Sequence, residues 1–360
     1  MMFFYFLFIL ILLLDAFSFE RIKMIEYLLV LQAPIFLFVI DYFQKKSIKI
    51  PKVFFMLQTI FLSLFVISNV VSDNFSNLNY QIGLYTALIL ISIYCYNHKD
   101  ELRQKIRKYI IWLSVLFTII NIFRKQIITL FPFIGINNSH IISYTSLTHN
   151  HLGDFLVLSL IIFISELLIS KQTKNKLLIF FFIFFTFIFS YSRSAYLSLI
   201  TTLISITYPV IKKINNYKKI IIGVCLLISI FFLFFSPLFT KIFFNNVAKK
   251  TPLGNREIYY KQAIEGFIKK PYFGWGFENY YKLKAGTVYS HNIFLDMLSE
   301  NGIFVFLAFL SLIMYGLFYG EKNLYYFLLI ALLVNFQTDF TYKIIPFQWL
   351  FFIFFGLIIK

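Results

Sequence analysis

A histidine and an asparagine stand side by side in YSHNIFLDMLSENG, Tyr289 to Gly302, where a long basic stretch gives way to hydrophobic sequence. An imidazole can accept a proton near neutral pH, so His291 suits a general base acting on a hydroxyl. Taken alone, it would as readily be an interfacial histidine bonded to backbone. Two arginines suit an anion. Arg193 lies in SYSRSAY, in a very short turn between two apolar runs, and Arg256 follows Gly254 and Asn255 in GNREIYY. A guanidinium is permanently charged, and its planar fork matches phosphate oxygens in pairs. A lone arginine at such a turn could equally snorkel to lipid phosphates. At a helix start, the free backbone N–H groups beside Arg256 would add to its hold on an anion. THNHLGDF brings His149, His151 and Asp154 together. His-x-His at a helix start does not aim two rings at one centre, and no third strong ligand follows, so no metal is expected there. Asn150 and His151 are read instead as lining a polar entrance. Asn292 and Lys270 are further candidate supports for the site.

These residues have to be positioned by a chain that is 60% hydrophobic, 21% aromatic and only 14% charged, with a mean hydropathy of +0.79. Soluble domains carry roughly 25% charged residues, so this chain lacks the polar surface to cover a globule. Continuous apolar runs near the length needed to cross about 30 Å of hydrocarbon predict an all-α polytopic membrane protein. Alternation is absent, which excludes a membrane β-barrel. About twelve spans are expected, at residues 2–18, 24–43, 53–71, 78–96, 109–123, 152–169, 177–190, 195–211, 219–237, 302–319, 324–339 and 346–359. The first is read as a retained helix, because it lacks a basic leader and a small-residue cleavage site. Cys95 and Cys225 both fall inside apolar runs, so no disulfide framework is implied.

With both termini cytoplasmic, seventeen lysines and arginines fall in the inner turns and six in the short outer ones. That is the direction of the positive-inside rule, which accounts for much of the +17 formal charge without invoking nucleic acid. The organisation expected is nine spans over residues 1–237, a large outer loop over 238–291, and three spans over 292–360. Long outer loops escape the charge rule, so the basic character of this one is tolerated. Its aromatic content argues for order. Within it, NREIYYKQAIEGFIKKP predicts an amphipathic helix capped by Asn255 and stopped by Pro271, with Tyr260, Ala263, Ile264 and Phe267 on one face. Such a helix would also suit the bilayer surface. PYFGWGFENY then predicts a tight turn around Trp275.

SRSAY, GNREIYYKQAIEGFIKKPYFGWGFENY and SHNIFLDMLSENGI, with THNHLGDF before them, together resemble the bacterial O-antigen ligase and polymerase superfamily. The motifs cover about residues 145–305. The chain departs from the family pattern where Tyr259 and Tyr260 replace a frequent tryptophan, and it is short for the family. The resemblance implies a metal-independent membrane glycosyltransferase, without cofactors, in the bacterial inner membrane. Its donor would be a glycan on undecaprenyl pyrophosphate, its acceptor a sugar hydroxyl or lipid A core, and a chain-length regulator is a possible partner. By the same resemblance, Arg193 and Arg256 would bind the diphosphate and His291 would activate the acceptor. A repeat-unit polymerase for O-antigen, capsule or exopolysaccharide is favoured, with an O-antigen ligase as the alternative. A flippase for lipid-linked sugars would instead need charges at mid-membrane, for which Asp15, Glu26 and Glu166 are the candidates, and repeat symmetry, which the sequence lacks.

Overall fold

The computed structural model describes residues 32, 34–43, 48–74, 78–123, 149–169, 174–207, 216–244, 256–283 and 289–360. These are mostly helical, with no strand among them. In chain order the helices are α1 (Pro34–Phe43), α2 (Lys52–Val71), α3 (Leu78–Asn97), α4 (Lys99–Ile122), α5 (His149–Ile169), α6 (Lys174–Ile188), α7 (Arg193–Thr207), α8 (Asn216–Phe244), α9 (Arg256–Lys269), α10 (Gly302–Tyr319), α11 (Leu324–Thr338) and α12 (Ile345–Ile358). Among the described residues, three segments are long and apolar enough to cross a membrane: Lys52–Val71, Asn150–Leu168 and Ile293–Tyr319. The expected span at 2–18 lies outside the described residues, as does much of 24–43.

Most expected spans coincide with helices, and α4 differs instructively. The basic stretch from Lys99, read as a turn, is already helical. Asp100 and Glu101 sit in its first turn, where acids complement the helix dipole, and Glu101 pairs with Lys105 one turn on. Leu102, Ile106 and Ile110 bury one stripe of it, so tertiary packing extends the helix beyond its apolar run.

The chain divides into two compact units. One comprises Met1–Tyr27, Asp100–Ala248 and Asn323–Asn335. At its centre α5 is almost wholly buried. Gly153 makes this possible against the chain entering α7, because a Cβ there would meet Ser190 Oγ and Ser192 Cβ at 2.7 Å. Phe117 of α4 packs edge-on against Phe155 of α5 at 5.1 Å, and Ser198 of α7 donates to the Ala331 carbonyl of α11.

The other unit comprises Leu28–Lys99, Lys249–Lys322 and Phe336–Lys360. Here α3 packs on α12 and α2 on α10. Gly356 lets α12 press on α3, since a Cβ would lie 2.2 Å from the Ser92 carbonyl oxygen. Phe54 stacks on Phe355 at 5.3 Å, while Phe65 meets Tyr85 at 4.8 Å and Phe277 at 5.3 Å. The last of these contacts carries the core up into the loop that precedes His291.

Candidate active site

Of the residues picked out by type, Arg256, Lys270, His291 and Asn292 belong to the second unit; Asn150, His151 and Arg193 belong to the first.

In the second unit, Arg256 opens α9; Asn255, its expected cap, lies outside the described residues. The buried positions of α9 are Ala263 and Gly266. Ile264, expected on the inner face, is 49% exposed. The burying face is thus set by Tyr280, which packs on Ala263 and donates to the Tyr259 carbonyl, and by Leu283, which occupies the space of the absent Gly266 side chain.

Beyond α9 the expected turn forms around Trp275. Trp275 donates its indole N–H to the Gly266 carbonyl at 2.9 Å, and Lys270 lies over the indole ring at 4.4 Å. The turn is tied down on two sides. The backbone N–H groups of Trp275 and Gly276 donate to the carbonyls of Ser299 and Glu300. At the end of α2, Asn69 accepts from the Phe277 amide and Asn74 donates to the Phe277 carbonyl. Gly274 and Gly276 have φ of +65° and +87°, which only glycine adopts without strain.

His291 follows on the stretch Ser290–Asn292. It too is left-handed, with φ +65°, a conformation that costs a non-glycine residue on the order of 1–3 kcal/mol and must be held by its surroundings. Several ties hold it. The Asn292 side chain caps the next turn by accepting from the Phe294 and Leu295 amides and donates to the Gln337 carbonyl at 3.1 Å. The Ser290 amide donates to Asp296 Oδ1 at 2.8 Å. Tyr259 lies parallel to the imidazole at 5.8 Å and Tyr289 edge-on at 5.5 Å.

The residue that organises the site is Asp339, which sequence reading missed. Its carboxylate is 1% exposed; Oδ1 lies 3.3 Å from His291 Nδ1, and Oδ2 lies 3.7 Å from Arg256 Nη2. A carboxylate against Nδ1 fixes the tautomer in which Nδ1 carries the proton and Nε2 accepts. The same carboxylate steadies a guanidinium whose other donors keep their capacity for an anion. Histidine and arginine are thereby drawn to one acid from separate elements.

Asp339 lies in a short stretch that takes the other ties as well. Tyr260 donates to the Gln337 carbonyl. Tyr342 donates to Asp296 Oδ2; burial, reinforced by that carboxylate, raises the phenol well above its ordinary range, so it stays a donor. Lys343 pairs with Glu300 at 3.0 Å and lies over Phe277. Burial alone would lower the Lys343 ammonium, but the Glu300 carboxylate more than offsets this and keeps it charged. A signal for this stretch was present in the sequence: QTDFTYK is a polar island between two apolar runs.

In the first unit, Arg193 is the first residue of α7. The preceding Ser192 caps that helix, accepting from the Ala195 amide, and Ser194 donates to buried Asp154 of α5 at 2.8 Å. His151 is buried in the first turn of α5. Glu166, a candidate mid-membrane charge, pairs with Arg107 at 3.2 Å and Lys176 at 2.8 Å near the ends of α5 and α6.

Comparison with known proteins bears on the same stretch. Residues 178–310 match the family model described as O-antigen ligase. No match was found among curated proteins or solved structures. The matched segment takes in Arg193, Arg256, the Trp275 turn and His291, and over these residues the chain is similar to the O-antigen ligase family.

Proposed function

We propose that this protein is a multi-pass bacterial inner-membrane glycosyltransferase that polymerises polysaccharide repeat units. In this reading it moves a glycan from undecaprenyl pyrophosphate to a sugar hydroxyl on the outer face of the membrane. The observation that carries it is the single buried carboxylate, Asp339, shared by the His291 imidazole and the Arg256 guanidinium.

The acceptor oxygen attacks the anomeric carbon of the donor sugar, and the bond from that carbon to the diphosphate breaks. The hydroxyl proton passes to His291 Nε2, whose tautomer Asp339 maintains. Arg256 meets the charge that grows on the departing lipid diphosphate, the point at which a fixed cation lowers the barrier most. Holding the two substrates together supplies much of the remaining acceleration. By family resemblance, Arg193 is assigned to diphosphate binding. The twelve-span arrangement, with the stretch 238–291 outside, belongs to this reading and is supported by the lysine and arginine asymmetry.

The test uses purified protein in lipid nanodiscs, with lipid-linked repeat units from the producing cells, gel analysis of products, and EDTA present, since the scheme needs no metal. A ladder of longer glycans, lost in His291→Ala and Arg256→Ala, is expected. Absence of a ladder with transfer to added lipid A core would make the protein a ligase. Activity untouched by either substitution would mean that the site is wrong.

A further inference from the structure

We propose that Asp296 is a positioning residue for His291, a second buried carboxylate that sets the histidine through the backbone on which it rides. This rests on the catalytic reading of His291 given above. Asp296 is 2% exposed. One of its oxygens accepts from the amide of Ser290, the residue immediately before His291. The other accepts from the hydroxyl of Tyr342, three residues after Asp339. The carboxylate thus ties the histidine-bearing loop to the stretch that supplies the histidine's own partner. On the far side, Asn292 makes the same connection through the Gln337 carbonyl. Gln348 closes the frame by donating to the Tyr342 carbonyl at 2.8 Å.

The left-handed φ of His291 needs such a frame, because the chain relaxes towards ordinary φ unless the residues on either side are fixed. A buried carboxylate is also a costly way to close a local turn, since a neutral side chain would close it without removing a charge from water. Its two oxygens are used on two different segments, which a purely local turn would not require. Asp339 therefore acts on the ring, and Asp296 on the conformation that delivers the ring to Asp339.

The experiment compares Asp296→Asn and Tyr342→Phe with the native chain in the nanodisc transfer assay, each also combined with His291→Ala. Misplacing a reacting group by about 1 Å can cost 10²-fold in rate, so kcat should fall by about 10- to 100-fold. The donor KM should change by less than about threefold, because donor binding is not what is lost. In the His291→Ala background neither substitution should lower the residual rate further. An activity-independent arm measures carbethoxylation of His291 by diethyl pyrocarbonate, read by mass spectrometry against His98 in the same sample. Its rate at His291 should rise several-fold in both variants and stay constant at His98. Equal losses with and without His291, or unchanged carbethoxylation, would overturn the assignment. Should His291→Ala itself leave transfer intact, the catalytic reading falls, and the carbethoxylation rates alone decide whether Asp296 holds the ring.

Discussion

Asp339 meets an imidazole and a guanidinium with one carboxylate, and the two interactions differ in kind. Towards His291 it accepts a hydrogen bond that chooses a tautomer; towards Arg256 it offers charge at 3.7 Å. Asp339→Asn keeps the volume but can present an amide N–H to Nδ1, turning the ring to the opposite tautomer with the proton on Nε2. Transfer by this variant should fall by about 10²-fold or more in kcat, measured by single-turnover product formation, with the protein still accumulating in the membrane. At this scale the sequence was half legible. His291 and Arg256 could be found by asking what each residue type does at a helix start or loop end. Asp339 could not, because an acid at the end of an apolar run reads as a span boundary until a partner 48 residues earlier is placed beside it.

Among the elements, backbone packed against backbone decides more than side chains do. The Trp275 turn docks on the stretch Met297–Asn301, a π-helical turn between the short helix Ile293–Asp296 and α10. A Cβ on Gly274 would lie 2.4 Å from the carbonyl carbon and oxygen of Glu300. No rotamer change can relieve a clash with backbone. Gly274→Ala should therefore destabilise the protein by on the order of 1–3 kcal/mol, seen as a lower apparent melting temperature by intrinsic fluorescence in detergent. The glycines of PYFGWGF were recognisable as a tight turn, since the left-handed region is theirs. The surface beneath them was not recognisable. It is built from Asn69 and Asn74 in one part of the chain and Glu300 in another, and no local pattern announces such a surface. The helix boundaries were mostly legible because apolar runs stop where polar residues begin. α4 is the exception, where a charged first turn is made helical by its own pairs and by the burial of Leu102 and Ile106.

At the scale of the whole molecule, the proposed topology, argued from the positive-inside asymmetry, assigns the stretch 238–291 to the outer face. On α9 the side chain of Ile268 is 68% exposed. Cys95 and Cys225 are both buried, so they compete little for a thiol reagent. Ile268→Cys should accordingly be labelled by a membrane-impermeant maleimide in intact cells, to the same extent as in lysed cells. Labelling only after lysis would invert the topology. The fold was legible at this scale as an all-helical membrane protein, since hydrocarbon leaves backbone few alternatives. Its division into two units was not, because segments far apart in sequence interleave to make each unit.

The stretch that carries Gln337, Asp339, Tyr342 and Lys343 has a consequence for biogenesis. Proteins form from the N-terminus onward as they are synthesised. His291 and Arg256 both emerge before Asp339, and so does every residue of the matched segment 178–310. The nascent chain therefore carries His291 and Arg256 without the carboxylate that they share. That carboxylate arrives only with Asp339, the residue that follows α11.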